Sequence, residues 1–111
     1  MPRTLYVTTT LPYINADPHI GFAFELVSAD IFVRANRLAG REVFFNTGTD
    51  EHGLKIYRAA EKEGKELQEY VDGYAAKFKA LLLALGISLD INFIRTSDAR
   101  HKEAAGEFWQ R

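Results

Sequence analysis

The feature that most constrains the fold is a long helical pattern between two short runs of strand-forming residues. Residues 5–10 are rich in β-branched and aromatic residues and predict a strand, and Val43–Thr47 predicts a second, buried strand. Between these runs apolar residues recur with the period of an α-helix, at positions 24, 27, 31, 35 and 38. Gly40 is placed to end this helix. The pattern therefore predicts a βαβ unit with two parallel strands.

The remainder of the chain predicts three further elements: a helix over Glu51–Glu63, a helix over Leu67–Leu85 and a short strand over Asn92–Thr96. Glu51 and Lys55 are four residues apart, so the first of these helices is expected to have a solvated, charged face. Ser97 is placed to cap a last helix that continues towards Trp109. The predicted fold class is α/β, with a partial Rossmann-like parallel sheet: a βαβ unit, further helices and a third strand.

Length and composition limit what such a chain can be. Its 111 residues, 47% hydrophobic and 26% charged, indicate one small globular domain and not a disordered chain. A net charge of −1 does not indicate nucleic-acid binding. The absence of cysteine excludes disulfides and thiolate zinc sites, and no apolar run is long enough to span a membrane, so we expect a cytoplasmic protein. Because three strands cannot cover both faces of a parallel sheet, we expect a fragment or one piece of a split protein.

The segment that follows the first strand has the pattern of an anion site. Asp17 is expected to be the N-cap of the long helix and Pro18 its first residue. His19 and Gly21 then fall in the first turn, where free backbone N–H groups and the helix dipole favour an anion. This arrangement predicts a phosphate-binding site at the start of the helix.

Two loops are expected to meet at one crevice, because the carboxyl ends of parallel strands lie at the same edge of a sheet. These loops are residues 10–17 and 47–53. Glu25 shares a helix face with Gly21 and either reaches a ligand there or is an ordinary exposed carboxylate. Asn15 is placed to form an Asx-turn. Asp50 is either a substrate-binding carboxylate or the N-cap of the second helix.

Two motifs carry a resemblance to a known family. Pro12-Tyr13-x-Asn15-x-x-Pro18-His19-Ile20-Gly21 resembles the first signature of class I aminoacyl-tRNA synthetases, and Gly48-Thr49-Asp50-Glu51-His52-Gly53 resembles the methionyl group of that class. The likeness runs from about Leu5 to the last residue. It implies that residues 1–111 are the N-terminal half of a Rossmann-like catalytic domain, without the rest of that domain, the insertion or the anticodon-binding domain.

The resemblance implies a methionine–tRNA ligase, which activates methionine with ATP to methionyl-adenylate and transfers it to tRNA(Met). His19 matches the histidine that contacts ATP phosphate in the transition state, so it is the catalytic candidate. The positions implied to bind ATP are Tyr13, Asn15, His19, Gly21, Phe22 and Glu25. Those implied to bind the amino acid are Leu11, Tyr13 and Asp50, the last through the α-ammonium group.

The same resemblance implies partners and cofactors. ATP would be a substrate, normally with Mg²⁺, and tRNA(Met) would be bound mainly by the absent domains. A C-terminal partner chain could complete the sheet. The zinc of many relatives belongs to an inserted domain that would follow Arg111, so no metal is expected in this segment. A metal site of His52 with Asp50, Glu51 and His101 is not expected either, because cysteine is absent and these acidic residues are adjacent in sequence.

Two departures from the family pattern bear on activity. Phe22 stands where the family usually has a histidine, and an aromatic ring cannot donate to phosphate. Losing one such donor typically costs about 10²–10³ in rate. The second family signature, Lys-Met-Ser-Lys-Ser, is absent. One alternative is therefore an inactive or binding-only fragment that retains an ATP and methionine half-site. Another is a small nucleotidyltransferase of the His-x-Gly-His superfamily, which the Asp50–Gly53 run disfavours.

Overall fold

The computed structural model describes residues 3–88 and 90–111, and in them all the predicted elements occur in the predicted order. They are β1 (Leu5–Thr8), α1 (Ile20–Leu38), β2 (Val43–Thr49), α2 (Leu54–Lys62), α3 (Leu67–Ala84), β3 (Asn92–Arg95) and α4 (Ala99–Gln110).

The three strands form one parallel sheet in the order β1-β2-β3. The register pairs Leu5 with Val43 at the start of β2 and Thr49 with Arg95 at its end. The predicted α/β class and the parallel βαβ unit are therefore confirmed. Since β2 is central, the ends of both outer strands lie next to residues of β2.

The hydrophobic core lies between one face of this sheet and the helices. Val43 and Phe45 of β2 point into it, and Leu5 and Val7 of β1 pack against them from the same face. The helices contribute the remaining large buried side chains, among them Phe22, Leu26, Val33, Ile56, Tyr70, Val71, Phe78 and Leu82. The helical period predicts an apolar stripe on α3 at positions 67, 71, 74, 78, 81 and 85. Val71 and Phe78 are confirmed as core positions, and Tyr74, Leu81 and Leu85 are partly buried against the core. Leu67 is 41% exposed, and the core position Leu82 was not predicted.

The opposite face of the sheet is largely open. Tyr6 and Phe44 lie side by side on it with their rings stacked 5.2 Å apart, and they are 64% and 47% exposed. Further along the strands, Asn46 donates to the Thr8 hydroxyl at 3.4 Å and accepts from the Asn92 amide at 2.8 Å. This face therefore has an aromatic end and a polar end.

Three helix starts differ from the prediction. The first helix begins at Ile20 with His19 as its N-cap, since the His19 ring accepts from the Gly21 N–H, and Asp17 instead pairs with Lys77 on α3, at 2.5 Å. The second begins at Leu54 with Gly53 as N-cap, so neither Asp50 nor Glu51 belongs to it. The last begins at Ala99 with Asp98 as N-cap, and Ser97 does not have the predicted role.

The helix ends agree better with the sequence. Gly40, Gly64 and Gly86 have positive φ values of 77°, 67° and 65°, which is the conformation that ends a helix most readily at glycine. Within the described ranges, none of the helices combines the length and the apolar character that crossing a bilayer would require.

Candidate functional site

The loop after β1 is anchored to the rest of the fold by threonines. Thr9 is 6% exposed, and its hydroxyl lies 2.6 Å from that of Thr47 on β2. Thr10 donates its backbone N–H and its hydroxyl to the two carboxylate oxygens of Glu25, each at 2.7 Å. Glu25 is therefore not an ordinary exposed carboxylate, because it binds the start of the loop to α1.

His19 is exposed at the start of α1, where it caps the helix. Its backbone is extended, with φ −115° and ψ 171°, and its Nδ1 accepts a hydrogen bond from the Gly21 N–H at 3.0 Å. The prediction that His19 lies inside the first turn is wrong by one position. Because Nδ1 is an acceptor, the proton of the neutral imidazole is on Nε2, which can donate to an anion.

The backbone N–H groups at this helix start are partly used. The Gly21 N–H donates to the His19 ring, and the Phe22 N–H donates to the His19 carbonyl at 3.1 Å. An anion bound here would therefore interact mainly with the imidazole. A Cβ on Gly21 would lie 2.9 Å from Cε1 of His19, so the absence of a side chain makes room for this ring.

The Phe22 side chain lies in the core and not beside the His19 ring. It is 5% exposed, and its ring meets that of Phe78 edge to face with centroids 5.4 Å apart. The sequence grouped Phe22 with the ATP-binding positions. Because its ring is enclosed by apolar side chains, we exclude this side chain from the candidate site.

The two predicted loops are joined directly by backbone hydrogen bonds. The Asp50 N–H donates to the Pro12 carbonyl at 2.9 Å, and the Ile14 N–H donates to the Asp50 carbonyl at 3.4 Å. Tyr13 and Asp50 thus form a parallel bridge that extends the pairing of β1 and β2. The structure therefore brings Tyr13 next to Asp50, with Leu11 two residues earlier in the same loop, whereas Asn15 lies exposed at a bend further along the loop.

The segment Asp50–Gly53, which we call the β2 turn, has a defined conformation. Oδ1 of Asp50 accepts from the His52 N–H at 3.4 Å. Gly53 has φ 124°, and a Cβ there would lie 2.5 Å from the Tyr13 hydroxyl oxygen. Glycine is therefore required at position 53 both by its backbone and by the close approach of Tyr13.

Glu51 was predicted on a solvated helix face, and this is wrong. Its side chain is 0% exposed and forms an ion pair with Arg95, whose Nη2 lies 2.6 Å from Oε1. Hydrogen bonding to Glu51 raises the pKa of Arg95 above its usual value, although burial opposes this. The Arg95 guanidinium also binds Asp72 on α3 at 2.6 Å and lowers the pKa of that carboxyl group. The sequence offered one signal for this pair: Glu51 follows the predicted second strand and Arg95 lies near the end of the predicted third strand, so both belong to the same edge of the sheet.

His19 and His52 are held by different elements. His52 Nε2 lies 2.9 Å from the Thr96 carbonyl after β3, whereas the His19 ring binds its own helix. In the described ranges no three His, Asp or Glu side chains are grouped as a metal site would require.

Two cavities are formed by other residues. One of about 860 Å³ lies between the second half of α1 and the end of α3, beside Arg34, Arg37 and Leu83. Another of about 570 Å³ lies between the open sheet face and α4, beside Phe44 and His101. The predicted site residues line neither of these two cavities.

Comparison with known proteins identifies the family. The family model described as class I tRNA synthetases (M) matches residues 5–111. A methionine–tRNA ligase of Rhizobium meliloti (strain 1021) is 48% identical over 106 residues, which cover 96% of this chain and 20% of the relative. One from Rickettsia bellii (strain RML369-C) is 45% identical over 111 residues, covering 100% of this chain and 22% of the relative. The chain thus spans about a fifth of the length of the curated relatives it matches.

Solved structures agree with this comparison. Methionyl-tRNA synthetase of Mycobacterium tuberculosis in complex with methionyl-adenylate matches with a TM-score of 0.94 and 44% identity, over 99% of this chain and 21% of that one. The LeuRS in a ternary complex from Agrobacterium radiobacter K84 matches with a TM-score of 0.89 at 23% identity, over 98% of this chain and 14% of that one, and shares the fold. On the strength of the family model and these relatives, the chain belongs to the methionyl group of the class I aminoacyl-tRNA synthetases.

Proposed function

We propose that residues 1–111 are the N-terminal half of the catalytic domain of a methionine–tRNA ligase. The carboxylate of methionine attacks the α-phosphorus of ATP, pyrophosphate leaves, and the methionyl group then passes from the adenylate to tRNA(Met). The observation that carries this proposal is the bridge between Tyr13 and Asp50, because it unites the two family motifs at one edge of the sheet. The relative with methionyl-adenylate bound supports the choice of ligand.

The ATP end of the proposed site is at the start of α1. His19 is the catalytic residue, and its Nε2–H donates to a phosphate oxygen as charge develops in the transition state. Gly21 leaves the space that the His19 ring occupies. Asn15 lies near the phosphates, and Glu25 keeps the loop in place through Thr10.

The methionine end of the proposed site lies between the β1 loop and the β2 turn. The Asp50 carboxylate pairs with the α-ammonium group of the substrate. Leu11 and Tyr13 supply an apolar wall and an aromatic ring with a polar tip, which suit a thioether side chain. Tyr13 is 47% exposed, so its ring is available to both ends of the site.

The proposed reaction has further participants that this segment does not bind alone. Mg²⁺ accompanies ATP as part of the substrate, and no residue of this segment is assigned to it. With a net charge of −1 the segment contributes little to binding tRNA, which is assigned to other parts of the protein. The role in protein synthesis places the protein in the cytoplasm.

Methionine-dependent exchange of pyrophosphate into ATP tests this function. The assay uses the chain together with the C-terminal remainder of its protein, supplied either as one polypeptide or as two. We expect exchange that requires methionine and falls about 10²–10³-fold in His19→Asn. Asparagine is a good N-cap, so this variant keeps the helix start and removes only the imidazole. Absence of exchange in the complete protein would refute the proposal.

The segment by itself is proposed to be a binding half-site without turnover. The chain spans about a fifth of its relatives, and β1 is an edge strand beside the candidate site. A C-terminal partner segment is proposed to complete the sheet along this edge. Calorimetry of the 111-residue chain with a non-hydrolysable methionyl-adenylate analogue tests this. Heat of binding with a one-to-one ratio supports a half-site, and its absence shows that the segment is folded but does not bind the ligand.

A further inference from the structure

Arg95, the last residue of β3, connects two carboxylates from different elements. Its Nε lies 3.0 Å from both carboxylate oxygens of Glu51, and its Nη2 lies 2.6 Å from Oε1 of Glu51 and 2.6 Å from Oδ1 of Asp72. The Ser97 hydroxyl donates to Oε2 of Glu51 at 3.0 Å. A carboxylate that is 0% exposed is thus fully paired by groups at the end of β3. Such a contact holds one geometry, because the planar guanidinium fits a carboxylate through two or more directed bonds.

Thr96, the next residue, binds the end of β2 and the β2 turn through three more contacts. Its N–H donates to the Thr49 carbonyl at 3.2 Å, its hydroxyl accepts from the Glu51 N–H at 2.8 Å, and its carbonyl lies 2.9 Å from Nε2 of His52. The end of β3 therefore binds the residues on both sides of Asp50.

Asp50 itself is bound to the β1 loop and not to β3. Its N–H donates to the Pro12 carbonyl, and its Oδ1 accepts from the His52 N–H. The direction of the Asp50 carboxylate thus depends on where the rest of the turn lies. Among the residues of the β2 turn, Glu51 has the most buried side chain.

We propose that Arg95 is a positioning residue for the methionine end of the site. Through its ion pair with Glu51, it holds the β2 turn so that Asp50 stays against the β1 loop beside Tyr13. Arg95 does not touch the substrate in this scheme. The inference rests on the proposed function, because that function assigns the α-ammonium group to Asp50.

The first test measures the turn itself by NMR on the 111-residue chain. In Arg95→Met the amide signals of residues 50–53 and of Ile14 should shift, and their hydrogen exchange should accelerate. The matched control is Arg37→Met, which removes an arginine of similar burial that pairs with Asp90 at 2.7 Å and binds the Val43 carbonyl at the opposite edge of the sheet. Unchanged signals in Arg95→Met, or equal changes in both variants, would overturn the proposal.

A second variant covers the case in which Arg95→Met does not fold, since it leaves the Glu51 charge buried without a partner. In Glu51→Gln combined with Arg95→Met no charge is buried, but the directed contact with the turn is still lost. We expect this double variant to fold and to show the same changes at residues 50–53. A folded double variant with wild-type signals there would contradict the inference.

The third test separates positioning from general stability by comparing two ligands in calorimetry. We expect Arg95→Met, or the double variant, to weaken the binding of L-methionine about tenfold or more, while the Kd for ATP changes little. Equal weakening of both ligands would indicate a merely structural role and overturn the proposal. If the wild-type chain and the complete protein bind no methionine, the proposed function fails instead, and the NMR comparison alone decides whether Arg95 orders the turn.

Discussion

Two threonines of β2 are equally buried but differ in their hydrogen bonds. Thr47 and Thr49 are both 0% exposed on the core side of the strand. The Thr47 hydroxyl pairs with that of Thr9, whereas the Thr49 hydroxyl has no partner among the residues that the structure describes. A buried hydroxyl that lost its bonds to water without replacing them costs free energy on folding.

This difference predicts opposite effects of one substitution. Thr49→Val removes an unpaired hydroxyl and should raise the free energy of unfolding by about 1 kcal/mol. Thr47→Val removes a paired hydroxyl and leaves Thr9 without its partner, so it should lower the free energy of unfolding by about 1 kcal/mol or more. Urea denaturation of both variants measures this. Equal effects of the two substitutions would show that the two hydroxyls have equivalent surroundings.

Asp30 connects α1 to the segment after α3 and makes stability depend on pH. Burial alone would raise its pKa, but hydrogen bonds from the Ser88 side chain and amide and from Arg34 outweigh this, so the pKa lies below its ordinary value of 3.8. A lowered pKa means that the native state favours the carboxylate. The stabilisation is therefore present above pH 3.8 and is lost as the pH falls through the lower, native-state pKa.

Substituting Asp30 tests this pH dependence. Asp30→Asn should lower the free energy of unfolding by about 1–3 kcal/mol at pH 7, because it removes the charge from these hydrogen bonds. The difference from the wild type should shrink at pH values below 3.8. Urea denaturation at pH 7 and pH 3 measures both effects. The control Glu107→Gln removes an ion pair with Arg111 in which the Glu107 side chain is 67% exposed. It should change the free energy of unfolding by less than about 0.5 kcal/mol at either pH.

At the scale of single residues, the sequence was least informative where a polar side chain binds a distant partner. It placed Asp50 and Tyr13 at one edge of the sheet, because strand ends can be read from the hydrophobic pattern. It did not show that Glu51 is buried, since its partner Arg95 lies 44 residues further along the chain. For the same reason it assigned the helix cap to Asp17, which instead pairs with Lys77 on another helix.

At the scale of elements, β2 and β3 approach each other closely at one glycine. A Cβ on Gly48 would lie 1.9 Å from the Ile94 carbonyl oxygen, so a side chain there would force the two strands apart. Gly73 on α3 has open space around its Cβ position. The two glycines therefore have different roles, although both occur inside regular elements.

The same substitution at these two positions should have opposite consequences. Gly48→Ala should lower the free energy of unfolding by about 1–3 kcal/mol or more, the usual cost of overpacking. Gly73→Ala should raise it by about 0.5–1 kcal/mol, because alanine favours the helix. Thermal unfolding of both variants measures these effects. A Gly48→Ala variant as stable as the wild type would mean that β2 and β3 can separate without cost.

The order and type of all elements were predictable because each depends on local patterns. The helix ends at Gly40, Gly64 and Gly86 were also predictable, since a positive φ favours glycine. The starts of α1, α2 and α4 were not, because a candidate N-cap can instead bind a partner distant in sequence, whereas α3 begins at Leu67 as predicted. Ser97, for example, binds Glu51 through its hydroxyl and does not cap α4.

At the scale of the whole molecule, the chain is a slab of 51 × 38 × 18 Å. Helices α1, α2 and α3 pack on one face of the sheet, and α4 borders part of the opposite face. The uncovered sheet face carries the stacked Tyr6 and Phe44, and β1 lies at the edge of the sheet. Exposed strand edges and apolar faces favour association with other chains.

We therefore expect the isolated chain to self-associate at high concentration through this face. Tyr6→Thr combined with Phe44→Thr should lower the apparent mass in sedimentation velocity experiments towards that of the monomer. The control is Trp109→Thr on α4, which removes an aromatic side chain that is 90% exposed but not on the sheet. If Trp109→Thr lowers the apparent mass as much as the double variant does, the sheet face is not the surface through which the chain self-associates.

The spatial sequence β1-β2-β3 is the same as the order in the polypeptide. When the chain is made from its N-terminus, β2 finds β1 already made and β3 finds β2 already made, so these three strands can pair in the order of their synthesis. Because the loop closures are sequential, the sheet and its adjoining loops can form on the ribosome while downstream residues are still being added. Nascent chains stalled after a linker long enough to bring β3 out of the ribosome should thus already resist proteolysis across β1, β2 and β3.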